Sequence, residues 1–92
     1  MEKVKFKDVS IKYESSVREA FGFTRITEYD LELTCKIDLV NTLTRRVLLK
    51  VQPYEPVFWE ENGDGTATAV MYGLGEYTLN AILNTLTLWH TN

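Results

Sequence analysis

Leu31-Glu32-Leu33-Thr34-Cys35-Lys36-Ile37-Asp38-Leu39 alternates apolar and polar side chains without a break. Successive side chains of a strand point to opposite faces, so this stretch reads as a strand with one face on a core and one in water. Working outward, residues 3–13, 23–40, 45–52, 54–61 and 66–72 are all strand-like in composition. Asn62-Gly63-Asp64-Gly65 separates the last two and reads as a hairpin turn, because Gly and Asn accept positive φ. Pro53 and Pro56 cannot donate to a ladder, which assigns residues 54–61 to a sheet edge.

Two segments read as helical. Ser16 with Glu19 three residues on suggests a capping box, Val17, Ala20 and Phe21 share a helical face, and Gly22 stops the turn, giving a short helix over 15–21. Leu79, Ile82, Leu83 and Leu86 follow the spacing of an amphipathic helix, with Glu76 suited to its first turn. The Thr and Asn content predicts that it spans about 76–86, with Leu88-Trp89-His90 extended or frayed. The fold class is therefore α+β: an antiparallel four- to five-stranded meander sheet, one C-terminal amphipathic helix packed on one face, and a short helical turn after strand 1. The predicted core is Val4, Phe6, Leu31, Leu33, Cys35, Ile37, Leu39, Val47, Leu49, Val51, Leu79, Ile82, Leu83 and Leu86.

The charges suggest a register for the first two strands. Setting Lys3 against Glu32, Lys5 against Asp30 and Lys7 against Glu28 satisfies three ion pairs, while Val4 meets Leu31 and Phe6 meets Tyr29. The lysine row then reads as a salt-bridged sheet face, and direct nucleic-acid binding is not expected of a chain with net charge −3.

Ninety-two residues make a single domain spanning 1–92. The 45% apolar and 25% charged fractions are those of a globular protein. A lone cysteine, Cys35, excludes an internal disulfide and reads as a buried, inert thiol. The start of the chain lacks the apolar core of a signal peptide and no run reaches membrane-spanning length, so a cytoplasmic setting without membrane contact is expected.

No catalytic set emerges. His90 is the only histidine and lies at a terminus, a poor place to hold a general base. Asn62 to Gly65 resembles a calcium loop, but counting from Glu60 puts Met71 where a bidentate Glu is needed. Gly73-Leu74-Gly75 lacks the third glycine of a dinucleotide fingerprint and the lysine of a phosphate loop, so it reads as a strand-to-helix turn. Glu28, Asp30 and Glu32 share a strand face, where lysines pair them rather than tune them for acid–base work. No enzyme activity, cofactor or metal is expected.

All ten Lys and Arg lie in residues 1–50, which carry +2, while residues 51–92 carry five acids and no base. This asymmetry predicts an acidic corner that steers a basic partner. With aromatics interleaved, the expected binding set is Tyr54, Glu55, Phe58, Trp59, Glu60, Glu61 and Asp64, with Trp59 as anchor. The leading expectation is a small, acidic, non-enzymatic protein-binding module, an inhibitor of phage type by size and charge alone. Val9, Ile11, Tyr13 and Ile26, on the face opposite Val4 and Phe6, are expected to drive a homodimer. The alternatives are a small-ligand binder with a pocket between helix and sheet lined by Tyr29, Tyr72 and Tyr77, or a structural assembly subunit.

Overall fold

A computed structural model describes residues 2–5, 8–22, 24–53 and 56–91, with residues 2–5, Ala20 and residues 89–91 described by backbone alone. Five strands form one antiparallel sheet: β1 (Glu2–Lys5), β2 (Val9–Ala20), β3 (Thr24–Lys36), β4 (Trp59–Glu61) and β5 (Thr66–Leu74). Their spatial order is β1-β2-β3-β5-β4. The α+β class holds, but the sheet is not a simple meander. The chain leaves β3, crosses to the far edge as β4, and returns as β5 between them. Pro53 and Pro56 precede β4, which lies at the edge as the prolines require.

The crossover, residues 37–51, is helical, where the sequence reading placed a strand over 45–52. A 3₁₀ turn (Ile37–Leu39) leads into an α-helical turn (Val40–Leu43), a wide π turn (Thr44–Leu48) and a last helical turn (Leu49–Val51). Six β-branched residues, Ile37, Val40, Thr42, Thr44, Val47 and Val51, disguise it. Packing overrides that propensity, because Leu43, Val47, Leu48 and Val51 bring one side of the segment to the core. The π turn makes Leu48, five residues after Leu43, share its face with Val47, and all three are fully buried. Ile37 and Leu49, expected in the core, are exposed instead.

The C-terminal helix runs Glu76–Thr91, beyond the expected end, so the tail is helical rather than extended. Two of its threonines are accommodated by bonding backward: Thr85 Oγ1 donates to the Ala81 carbonyl at 2.7 Å and Thr87 Oγ1 to that of Leu83 at 2.9 Å. Leu79, Ile82 and Leu86 are buried against the sheet and the crossover, with Leu83 partly so. Both helical segments lie on one face of the sheet, over Val9, Ile11, Leu31, Leu33, Cys35 and Leu74. Val4 and Phe6 lie outside the residues whose side chains are described.

The expected helix over 15–21 is the end of β2. Phe21 and Gly22, at φ +57° and +77°, make the hairpin turn into β3. Gly22 thus serves a hairpin, and the Ser16–Glu19 spacing caps nothing. Too few apolar residues follow Ser16 for a helix to bury a face there. The turn also sets the register. Val9 pairs with Cys35, Lys12 with Glu32 and Ala20 with Thr24, while Lys3 pairs with Lys12 on β1. Lys5 and Asp30 therefore sit on strands separated by β2, and the proposed lysine–carboxylate register is wrong. Charge pairs worth a few tenths of a kcal/mol each yield to a tight turn and a buried face.

Candidate functional site

The helices cover one face of the sheet. Among the described residues the other is open, and its side chains come from the alternate positions of each strand. Glu32 pairs with Val70 across β3 and β5, and Glu14 stands opposite Asp30 across β2 and β3. Two carboxylates directly opposite are disfavoured in water. Asp30 is partly compensated by the N–H of Gly73, which donates to Asp30 Oδ1 at 3.1 Å. That contact marks a bulge. Tyr29 pairs with Leu74 but Leu31 pairs with Met71, leaving an extra residue in β5, and Gly73 takes it up at φ +66°. The bulge turns Leu74 inward, where it is buried.

Aromatic side chains stand beside these acids. Tyr72 is 76% exposed and Val70 is also exposed. Both border a shallow depression of about 330 Å³ whose rim includes Lys12, Glu14, Asp30 and Glu32. Val70 and Tyr72 also border a second depression of about 310 Å³, lined in addition by Gln52, Pro56 and Leu74. Phe58 is 79% exposed, and alternation from Trp59 directs it to the same open face as Glu60. Further along, Thr34 and Thr68 share a hydroxyl–hydroxyl bond of 3.0 Å, and Asn62 Nδ2 donates to Thr66 and Thr68.

Trp59 is not the exposed anchor that the sequence suggested. It packs against the core on the helix side, and its indole Nε1 donates to Thr44 Oγ1 in the π turn at 2.9 Å. Thr44 Oγ1 in turn donates to the Val40 carbonyl at 2.7 Å. Trp59 is thus the tie between edge strand and crossover. Tyr54 and Glu55 lie outside the described residues. Glu60, Glu61 and Asp64 are exposed as expected. Asp64 has a local role as well. Its carboxylate accepts from the Thr66 hydroxyl and, at 3.0 Å, from the Thr66 N–H, and these bonds hold its pKa below the usual value. With Gly63 at φ +83° and Gly65 at +88°, the segment is the hairpin turn the sequence promised.

The expected self-association set does not form a surface. Val9 and Ile11 are fully buried under the helices. Tyr13 is partly buried and meets Tyr29 edge-on at 6.3 Å between ring centroids. Ile26 sits half-buried on the β2–β3 hairpin. Nor do the three tyrosines of the ligand-pocket alternative converge. Tyr29 packs on the helix side, Tyr72 stands on the open face, and Tyr77 is exposed on the C-terminal helix.

Cys35 is buried, and burial, with Asp38 nearby, pushes its thiol pKa up to about 11. A thiol so protonated is a poor nucleophile. Among the described residues no group of three His, Cys, Asp or Glu side chains is placed to hold a metal, and no helix is long and apolar enough to cross a membrane.

Val70 and Glu14 were missed as surface residues. The signal for Val70 was legible in β5, where Ala67 and Ala69 alternate with Thr68, Val70 and Tyr72. Small residues lie under the helices, and the bulkier ones face out. No family model, curated protein or solved structure matches this chain.

Proposed function

We propose that this protein is a non-enzymatic protein-binding module that offers the acidic, aromatic open face of its sheet to a basic partner. The observation that carries the reading is the exposure of Tyr72 beside Glu14, Asp30 and Glu32 around the open-face depression, with Lys12 the one cation among its lining residues, and of Phe58 with Glu60 at the far edge of the sheet. Exposed aromatics rimmed by charge are what interfaces use as anchors. Aromatic rings bring area at little entropic cost, and the carboxylates steer a cationic patch into register. Acting as an inhibitor, the module would cover a basic site on its target with this face. Trp59 leaves the binding set, and Tyr72 and Val70 enter it.

The test is affinity capture from extracts of the source cell with the wild-type protein and with a Phe58→Ser/Tyr72→Ser variant, both first checked for native circular dichroism. A partner held by the wild type, lost from the variant and released by added salt is expected. Loss of anchors of this kind weakens binding by roughly 30-fold or more. A partner retained equally by both proteins would refute the reading.

A further inference from the structure

The β2–β3 hairpin extends past the rest of the sheet as an arm. β1 covers β2 from Ser10 to Tyr13, and β5 covers β3 only from Tyr29 onward. Ser15 to Glu19 of β2 therefore have no strand on their outer edge among the described residues. Val17 is 63% exposed there, and Phe21 at the tip is 94% exposed. One ion pair crosses the arm, Arg18 Nε to Glu28 Oε1 at 2.6 Å, and such a surface pair adds at most about 1 kcal/mol. A two-stranded ribbon without a packed face is marginal by itself. An unpaired edge is also a template for another strand.

We propose that this arm is a homodimerisation element: the outer edge of β2, Ser15 to Glu19, pairs antiparallel with the same edge of a second copy about a two-fold axis through Val17. The argument is self-complementarity, which an isologous contact demands. With Val17 on the axis, Val17 meets Val17 of the partner subunit, Ser15 meets Glu19 of the partner subunit, and Ser16 meets Arg18 of the partner subunit. No like charges face each other, and the helices of both copies lie on one side of a continuous sheet. Neighbouring registers fail. Moving the axis one residue toward the tip sets Arg18 against Arg18 of the partner subunit. Moving it one residue the other way drives Ala20 onto Lys12 of the partner subunit, a position already paired by β1. Half-steps are excluded by parity: a two-fold axis normal to the sheet matches like faces, and a half-step would set Val17, on the helix side, opposite Arg18, on the open side. The register is thus chosen by sterics at one end and by charge at the other. The aromatic part of the open-face patch, Phe58 and Tyr72, lies toward the far edge of the sheet, and of the patch acids only Glu14 borders the proposed contact.

The test is sedimentation velocity of the full chain from about 5 μM to about 1 mM, a range that brackets micromolar dimers. Ser15→Lys places a cation opposite Glu19 twice, by symmetry, and is expected to tighten the dimer by about 2- to 30-fold. Ser15→Glu faces the same carboxylate and is expected to loosen it by a similar factor. Thr27→Lys and Thr27→Glu, across from Val17 on β3 and away from the pairing edge, serve as controls expected to move the constant less than about twofold. A monomer throughout this range, an assembly larger than a dimer, or a dimer that responds to the Thr27 changes as much as to the Ser15 changes would each overturn the proposal.

Discussion

Replacing Trp59 by Phe separates the structural role of this residue from a binding role. The indole Nε1 donates to Thr44 Oγ1 at 2.9 Å, and that hydroxyl also donates to the Val40 carbonyl. Phenylalanine keeps most of the apolar contact with the core but removes the donor. The expected loss is one part-buried hydrogen bond, about 0.5–1.5 kcal/mol. Trp59→Ala removes the packing too. A fully buried tryptophan costs about 3–5 kcal/mol, and Trp59 is only half-buried, so about 2–3 kcal/mol is expected. Against a total stability on the order of 5–15 kcal/mol, both changes are measurable. The assay is urea denaturation followed by far-UV circular dichroism, with Thr44→Val and the Trp59→Phe/Thr44→Val double change completing a cycle. A coupling of about 0.5–1 kcal/mol is expected. Phe58→Ala, one residue away but exposed, is expected within about 0.5 kcal/mol of the wild type. If Trp59→Phe is neutral, the cycle shows no coupling and Phe58→Ala is the damaging change, the inward placement of Trp59 is wrong.

Other changes probe the turns, the core and the thiol. Gly73→Ala forces a side chain into the left-handed region at the bulge, and since an added Cβ would meet only Glu28 Oε2 at 3.6 Å, the cost is backbone strain of about 1 kcal/mol by urea denaturation. Phe21→Asn replaces an exposed residue at φ +57° by one that tolerates it, and is expected to raise stability by up to about 1 kcal/mol. Leu48→Ala removes a fully buried side chain from the π turn and is expected to cost about 2–5 kcal/mol, whereas Leu49→Ala, next to it but exposed, is expected to cost little. Cys35 has its folded pKa raised, so the folded state holds its proton where the unfolded state has lost it. Stability is therefore expected to fall as pH rises from about 9 toward about 11, and Cys35→Ala should flatten that slope in urea titrations.

The central strand, the 62–65 hairpin and the C-terminal helix were legible because each carries a strong local pattern: alternation in Leu31 to Cys35, glycines at the turn, and Leu79, Ile82, Leu83 and Leu86 on one helical face. The crossover helix was not, since its β-branched residues favour strand and only contact with the sheet decides otherwise. The β2–β3 register was hidden for a related reason. The lysine row offered ion pairs that look persuasive along the chain, but Phe21 and Gly22 close a hairpin that overrides them. For the candidate surface, the acidic excess after residue 50 drew attention to Glu60, Glu61 and Asp64, whereas Glu14, Asp30 and Glu32 of the proposed patch lie in the first half of the chain. What alternation alone could not settle was which of Phe58 and Trp59 turned outward, because both neighbours of that choice are bulky. The hydrogen bond to Thr44 settles it, and it depends on the helix that the sequence concealed.

The most direct measurement of the central claim is amide chemical-shift perturbation in the isotope-labelled protein as its captured partner is added. The account expects the largest shifts at Phe58, Glu60, Val70 and Tyr72, extending to Glu32 and Asp30, with reduced perturbation at raised salt. Shifts gathered instead on the exposed side of the C-terminal helix or crossover, with the open sheet face silent, would contradict it.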